Sequence, residues 1–185
     1  SIAAATEGKI TAIVGAARSE APELVFPTTG QGVSKMVILT RADSTWTYSG
    51  PESLKAVTLG VVEDYVYDEG EIDAYIAAHN AEPGRIHVAK GDAPLDANLA
   101  ALVEGKISAV IADSAVASYR LMVMDLAEQI KTVWEDTSDE IFVAFSPKDP
   151  KAKDYAALLD AGMAELRASG ALAKILGQYG MKDWK

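Results

Sequence analysis

The sequence predicts an α/β protein of two lobes, each built on a parallel-type sheet, and three observations predict it. The first is an internal repeat. Residues 1–15 read SIAAATEGKITAIVG and residues 98–112 read NLAALVEGKISAVIA. The copies share Ala3/Ala100, Ala4/Ala101, Glu7/Glu104, Gly8/Gly105, Lys9/Lys106, Ile10/Ile107 and Ala12/Ala109. Each copy is a helix end, a glycine stop and an apolar strand. One pair of copies so far apart does not make a solenoid, which needs several short-period units; it suggests two similar lobes with a cleft. The second observation is a strand–helix alternation from Val57 to Ala112, the pattern of a parallel sheet with helices on its faces. The third is composition: 185 residues, 49% hydrophobic and 24% charged, which suits one large domain or two small lobes.

The elements follow in order. Ile10–Val14 is a short β-branched run between Gly8 and Gly15 and reads as a buried strand. Residues 16–32 carry Pro22, Pro27, Gly30 and Gly32 and read as an irregular connection. Val33–Arg41 reads as one extended strand, residues 42–52 as a loop, and Ser53–Leu54 as a short helix. Val57–Val62 is a strand. Glu71–Asn80 is a helix with Ile72, Tyr75 and Ile76 on one face. Arg85–Ala89 is a strand, and a helix then runs from Pro94 through Leu95, Leu99 and Leu102 to Gly105. Ile107–Ala112 is a strand and Ser114–Asp125 a helix. Thr132–Trp134 and Ile141–Phe145 are strands, and the acidic run Glu135–Glu140 between them reads as a solvated turn. Lys153–Ser169 is a long amphipathic helix closed by Gly170, and Ala171–Gln178 is the last helix.

The repeat adds an asymmetry. Two strand–helix units precede its second copy and almost nothing precedes the first, so roughly 45–60 residues of the first lobe's front are expected to be missing, by the length of a βαβ unit.

Composition excludes several functions. A net charge of −10 with scattered single basic residues argues against nucleic acid, which needs clustered Lys and Arg. No cysteine is present, which removes disulfides, thiolate metal sites and cysteine nucleophiles. His79 and His87 lack metal-ligand spacing. Ser114 lacks a nucleophile-elbow context. No metal and no cofactor are expected. No apolar run reaches the roughly 20 residues of a membrane helix, and the start SIAAATEGK does not read as a signal peptide.

Taken in order, several segments resemble the extracellular solute-binding proteins of family 3, the periplasmic components of amino-acid-type ABC transporters. EGKITAIVGA with ARSEAPELVF resembles a lobe-one strand, its arginine loop and a phenylalanine. VSKMVILTRADSTW resembles the first hinge strand and its turn. SLKAVTLGVVEDY resembles the start of lobe two, and LVEGKISAVIADSAVASYRL its signature strand and helix. IFVAFSPKDPKAKDYAALLDAGMAELRASGALAKIL resembles the return hinge and closing helices. The resemblance implies a periplasmic-binding-protein-like fold of type II. Lobe one would be 1–38 plus 142–185, incomplete at its front, and lobe two 39–141. It implies a periplasmic or extracellular protein whose signal peptide has been removed.

Ligands of parallel α/β sheets bind beyond the carboxyl ends of the strands. After the first repeat strand comes Arg18; after the second come Asp113 and Ser114. Asp113 matches the family's aspartate for the ligand's amino group, and as a residue type it also suits a helix N-cap. Arg18 stands two residues from the position of the family's carboxylate-binding arginine, which Glu20 occupies. Lobe two of the family offers a Gly-Ser/Thr-Thr turn for a carboxylate. Here Glu63-Asp64-Tyr65-Val66-Tyr67 stands instead, so two acids replace hydroxyls and glycine and would repel a carboxylate. The candidate ligand-binding residues are therefore Arg18, Asp64, Tyr65, Asp113 and Ser114, with Tyr65 and Tyr67 suited to stacking. Trp46 and Tyr48 suit a cleft rim or packing between lobes, and Trp134 and Trp184 packing.

The expected function is binding of an amino acid or related polar solute by a non-enzymatic monomer. The partner would be a membrane ABC permease. The alternatives are a receptor's sensor domain and a cyclohexadienyl-dehydratase-like enzyme, whose only acid candidates are Glu63 and Asp64.

Overall fold

The computed structural model describes residues 1–137 and 139–185; Ser138, in the acidic run read as a turn, lies outside the described residues. The chain divides into two compact units, Ser1–Ser34 with Ser138–Lys185, and Lys35–Thr137.

In the first unit, β1 (Ala12–Ala16) and β2 (Gly32–Ser34) both pair with β8 (Asp139–Phe145), in the order β1-β8-β2. All of this pairing is antiparallel. The parallel pairing expected of both lobes is thus found only in the second unit among the described residues. A parallel pair needs a crossover connection, and the first unit's strands are instead joined to β8 alone. The helices are α1 (Ile2–Thr6), α5 (Ala152–Ala168) and α6 (Ala171–Gly177). Ala5, Ile13, Ala16, Leu24 and Ala144 make one core cluster. Phe145 packs with Ala152 and Ala156 of α5.

The second unit is a five-stranded mixed sheet in the order β5-β4-β6-β3-β7. Its strands are β3 (Met36–Arg41), β4 (Leu59–Val62), β5 (Ile86–Ala89), β6 (Ala109–Asp113) and β7 (Ile130–Glu135). A 3-10 turn covers Pro51–Ala56; the helices are α2 (Glu71–His79), α3 (Pro94–Val103) and α4 (Ser114–Val123). β4 runs parallel to β5 and β6, and β3 runs antiparallel to β6 and β7. Leu99, Leu102 and Ala117 cover one face of the sheet. Ile72, Tyr75 and Leu54 cover the other. Val33–Arg41, expected as one strand, is two: it divides at Lys35, and its halves join different sheets.

The repeat is structural as well as sequential. Each copy ends its helix in the same turn. Glu7, Gly8 and Lys9 donate their amides to Ala3, Ala5 and Ala4 carbonyls at 3.0, 3.0 and 2.8 Å. Glu104, Gly105 and Lys106 do so to Ala100, Leu102 and Ala101 at 3.0, 3.1 and 2.9 Å. These are the carbonyls a helix end leaves unpaired. Gly8 and Gly105 sit at φ 79° and 73°, the left-handed region that favours glycine. Both turns carry a Lys–Glu ion pair, Lys9–Glu7 at 2.5 Å and Lys106–Glu104 at 2.6 Å. The turn delays the first strand, so it spans Ala12–Ala16 rather than the expected Ile10–Val14. The strands' surroundings differ. Ala109 to Ala112 are buried between β4 and β3, whereas Val14 is 85% exposed on a strand paired only with β8 among the described residues.

Candidate functional site

The second unit contains a cavity of about 400 Å³ at the carboxyl ends of β4 and β6. Its position follows from the topology. From β4 the chain moves outward to β5, then returns across the sheet to β6. This reversal is the switch point where open α/β sheets bind ligands. β4 and β6 pair only at Leu59/Ala109 and Gly60/Val110. Beyond that, side chains satisfy the backbone of β4. The buried Asn98 amide of α3 donates to the Val61 carbonyl at 2.9 Å. The Val62 amide donates to the Tyr67 hydroxyl oxygen at 2.8 Å. The separated strand ends, Val62 on one side and Ile111 to Asp113 on the other, face the cavity.

Two helices begin at its wall. Asp113 ends β6 and caps α4; its carboxylate accepts from the amides of Ala115 at 2.9 Å and Val116 at 3.1 Å. Ala93, Pro94, Leu95 and Asp96 bring the first turn of α3 to the wall. Arg120 of α4 reaches back to Asp96, its Nε 2.6 Å from Oδ1 and a terminal nitrogen on Oδ2, a two-point carboxylate clasp. Tyr65 and Tyr67 complete the wall, their ring centroids 6.1 Å apart. Tyr65 is 65% exposed and Tyr67 only 8%. Burial pushes the Tyr67 phenol up to about 12, against the opposing hydrogen bond from Val62 and with the Asp73 charge adding to the rise. The phenol is therefore neutral at physiological pH.

A reciprocal pair of carboxylates holds the turn that carries these tyrosines. Asp73 accepts from the amides of Tyr67, Asp68 and Glu69 at 2.8–3.2 Å. Asp68 accepts from those of Gly70, Ile72 and Asp73 at 2.9–3.1 Å and so caps α2. Burial alone would raise the Asp68 carboxyl, but the Ile72, Gly70 and Asp73 amides outweigh it and hold it below the ordinary aspartate value. A depressed carboxyl stabilises the fold above its unfolded pKa and loses that stabilisation as pH falls through its folded value. Asp68→Ala is therefore expected to cost about 1–2 kcal/mol at pH 7. The gap to the parent should close as pH drops below the ordinary aspartate range, as urea titrations at pH 7, 4 and 2.5 would measure. A gap independent of pH would refute the capping role.

Of the five candidate residues, the structure brings Tyr65 and Asp113 to the cavity wall. Asp64 stands in the turn after β4 at φ 61°, and Ser114 opens α4 with its amide on the Lys35 carbonyl at 2.9 Å. Neither lines the cavity. Glu63 does not either; it pairs with Lys90 at 2.5 Å. Arg18 belongs to the first unit. Its guanidinium lies 4.5 Å from the Phe142 ring and 5.1 Å from Phe26 and donates to the Pro27 carbonyl. Asp160 of α5 accepts from the Thr28 and Thr29 amides, each at 2.8 Å. Its carboxyl, which burial would raise, is held low by these amides and the Arg18 charge. Glu20 accepts from the Ala17 amide at 3.2 Å.

Trp46 and Tyr48 pack inside the second unit, Trp46 donating to the Ser53 carbonyl at 3.2 Å and Tyr48 lying 5.1 Å from the Trp134 ring. Trp184 packs under Arg167 in the first. His79 meets Glu82 at 2.7 Å. No group of acids and histidines that could hold a metal occurs among the described residues. Sequence reasoning missed Asp96 and Arg120, which lie on different helices. It also missed Asn98, whose only signal is an amide within the apolar stripe Leu95, Leu99, Leu102.

No protein-family sequence model matches the chain, and no curated protein sequence matches it. Solved structures do. The L-cystine solute receptor of Neisseria gonorrhoeae, in its unliganded open conformation, superposes with a TM-score of 0.68 at 18% identity, over 98% of this chain and 72% of that one. The fold is periplasmic-binding-protein-like. The second substrate-binding domain of Lactococcus lactis GlnP, also open, shares this fold at TM-score 0.62 and 18% identity, over 96% and 72% of the two chains. A histidine kinase sensor domain described as similar to periplasmic binding proteins shares it at 0.56 and 18%, over 98% and 75%. These neighbours are binding and sensing proteins. No helix among the described residues is long and apolar enough to cross a membrane.

Proposed function

We propose that the protein binds a small polar solute, an amino acid or a relative of one, and delivers it to a membrane ABC permease. The observation that carries this reading is the switch-point cavity walled by Tyr65, Tyr67 and Asp113, on a fold whose neighbours include an amino-acid solute receptor. In this reading the protein is a monomer outside the cytoplasmic membrane, in the periplasm or extracellular space. Its lobes are 1–38 plus 142–185, and 39–141. Arg18, Asp64 and Ser114 join Tyr65 and Asp113 as ligand contacts. Ligand with higher affinity for a closed arrangement of the lobes shifts the population toward it, and the permease reads the closed form. The proposed role is binding without turnover.

A thermal-shift screen against amino acids, amines, sugars and carboxylates tests the reading. A ligand at about a hundred times its dissociation constant stabilises by about 2.7 kcal/mol and raises the midpoint by several degrees. Asp113→Ala should abolish the shift; a hit whose affinity survives Asp113→Ala would refute the cavity assignment. A second reading, a ligand-sensing domain of a receptor, is favoured by the likeness to the kinase sensor domain. It predicts the same binding and differs in partner: co-purification with a permease supports transport, and with a signalling module supports sensing.

A further inference from the structure

An amino acid offers a carboxylate and an ammonium group, and the wall of the second unit's cavity treats them differently. Carboxylates bind most readily at helix N-termini, where amides lack partners and the helix dipole is positive. Two such ends reach this cavity, and the chain's own groups have filled or blunted both. At α4 the Asp113 carboxylate already accepts from the Ala115 and Val116 amides. At α3 the first turn carries Pro94, which has no N–H, and Asp96, whose negative charge sits at the positive end of the dipole. The one cation on the wall, Arg120, is clasped at two points by Asp96. Three carboxylates on the wall, Asp92, Asp96 and Asp113, stand against that single guanidinium. The turn after β4 adds Glu63 and Asp64, with Lys90 paired to Glu63.

The remaining surface is apolar and aromatic. Val62, Leu95, Ile111 and Val116 line it beside the Tyr65 and Tyr67 rings. A negative field over tyrosine faces attracts ammonium groups both by charge and by the ring quadrupole. A carboxylate placed here would meet like charge, a filled helix end at α4, and at α3 an end that lacks the Pro94 N–H and carries the Asp96 charge.

We propose that this cavity selects an organic ammonium group on an apolar or aromatic body and discriminates against a carboxylate, so that the ligand is an amine rather than the parent amino acid. The inference rests on the solute-binding reading above and narrows its substrate class. Arg18 belongs to the first unit, where its guanidinium donates to the Pro27 carbonyl and lies against two aromatic rings.

Matched pairs that differ only by the carboxylate test this. Titration calorimetry of the full chain with agmatine and arginine, cadaverine and lysine, and tyramine and tyrosine should show, in at least one pair, an amine binding at least about tenfold more tightly than its amino acid. Asp113→Asn keeps an N-cap acceptor for α4 while removing the charge. It should weaken that amine by at least about tenfold and leave the melting temperature within about 2 °C of the parent. Three outcomes overturn the inference and leave solute binding standing. One is amino acids that bind as tightly as their amines; another is an amine indifferent to Asp113→Asn. The third is a ligand found among sugars or carboxylates with no amine binding. Absence of binding by every pair and by the whole solute panel overturns both.

Discussion

Gly60→Ala is expected to destabilise the second unit by about 1–3 kcal/mol, and Gly60→Val by more. Gly60 lies on β4, an interior strand flanked by β5 and β6. A Cβ there would lie 2.6 Å from Ile107 Cδ1 and 3.0 Å from Asn98 Oδ1. The first contact is with a side-chain end, and Ile107 is buried in one core cluster with Leu99, Leu102 and Val110, so moving it disturbs that packing. The second is with a side chain pinned by its bond to the Val61 carbonyl. Displacing Asn98 would free that carbonyl in a buried place, which costs about 1–3 kcal/mol in its own right. Ile107→Val removes the Cδ1 atom at its own cost of about 0.5–1.5 kcal/mol. In that background the penalty of Gly60→Ala should shrink, giving a coupling of about 1 kcal/mol in the double-mutant cycle. Urea titration followed by the fluorescence of Trp46 and Trp134 in a Trp184→Phe background reads the second unit. Gly162 in α5 is the control: nothing lies within 4 Å of its Cβ position, so Gly162→Ala should be neutral or stabilising. Strict additivity of Gly60→Ala with Ile107→Val would show that the contact with Ile107 does not set the cost.

The same region shows what could be read from the chain and what could not. The alternation from Val57 to Ala112 was legible because each helix and strand carries its own period and its own glycine or proline stop. The strand-end rule pointed to Arg18, Asp113 and Ser114, and of these Asp113 lines the cavity; Tyr65, which also lines it, was suggested only by the family resemblance. The division of Val33–Arg41 at Lys35 was not legible, because an unbroken extended run says nothing about which sheet each half joins. Nor was the Asp96–Arg120 clasp, since neither residue shares a local pattern with the other; α3 and α4 must pack before it exists. Asp64 illustrates a third case. It was nominated with Tyr65 by the segment that stands in place of the family's carboxylate-binding turn, but it sits at φ 61° in the turn after β4 and does not line the cavity. The parallel first-lobe sheet was inferred from symmetry with the second copy, whereas β1 pairs only with the antiparallel β8 among the described residues.

The repeat supplies a second large effect, in which two equivalent glycines respond differently. Gly8 and Gly105 close the same turn at nearly the same φ, so alanine at either pays the left-handed cost of about 1–2 kcal/mol. Their surroundings set the remainder. At Gly105 the atom nearest a new Cβ is Arg41 Nη1 at 2.7 Å. That is the far end of a flexible, half-exposed side chain paired with Asp43, and it can swing aside. At Gly8 the nearest atoms are Lys148 Cβ at 2.9 Å and Cγ at 3.2 Å. The Lys148 Cβ is fixed to backbone that is itself tied down. The Lys148 amide donates to Ser146 Oγ at 3.2 Å, and the Ser146 amide to the Thr11 carbonyl at 2.9 Å. Relief therefore requires the chain after β8 to move. Gly8→Ala should cost about 2–4 kcal/mol and Gly105→Ala about 1–2 kcal/mol. Asparagine, which tolerates the left-handed region, separates the two causes. Gly105→Asn should recover most of the loss. Gly8→Asn should not, because its Cβ meets the same wall. Trp184 reports the first unit in a Trp46→Phe, Trp134→Phe background, and Trp46 with Trp134 the second in the Trp184→Phe background, so paired urea titrations read the two copies separately. Equal costs at the two glycines would mean that backbone conformation alone governs the turn and that the contact with Lys148 yields freely.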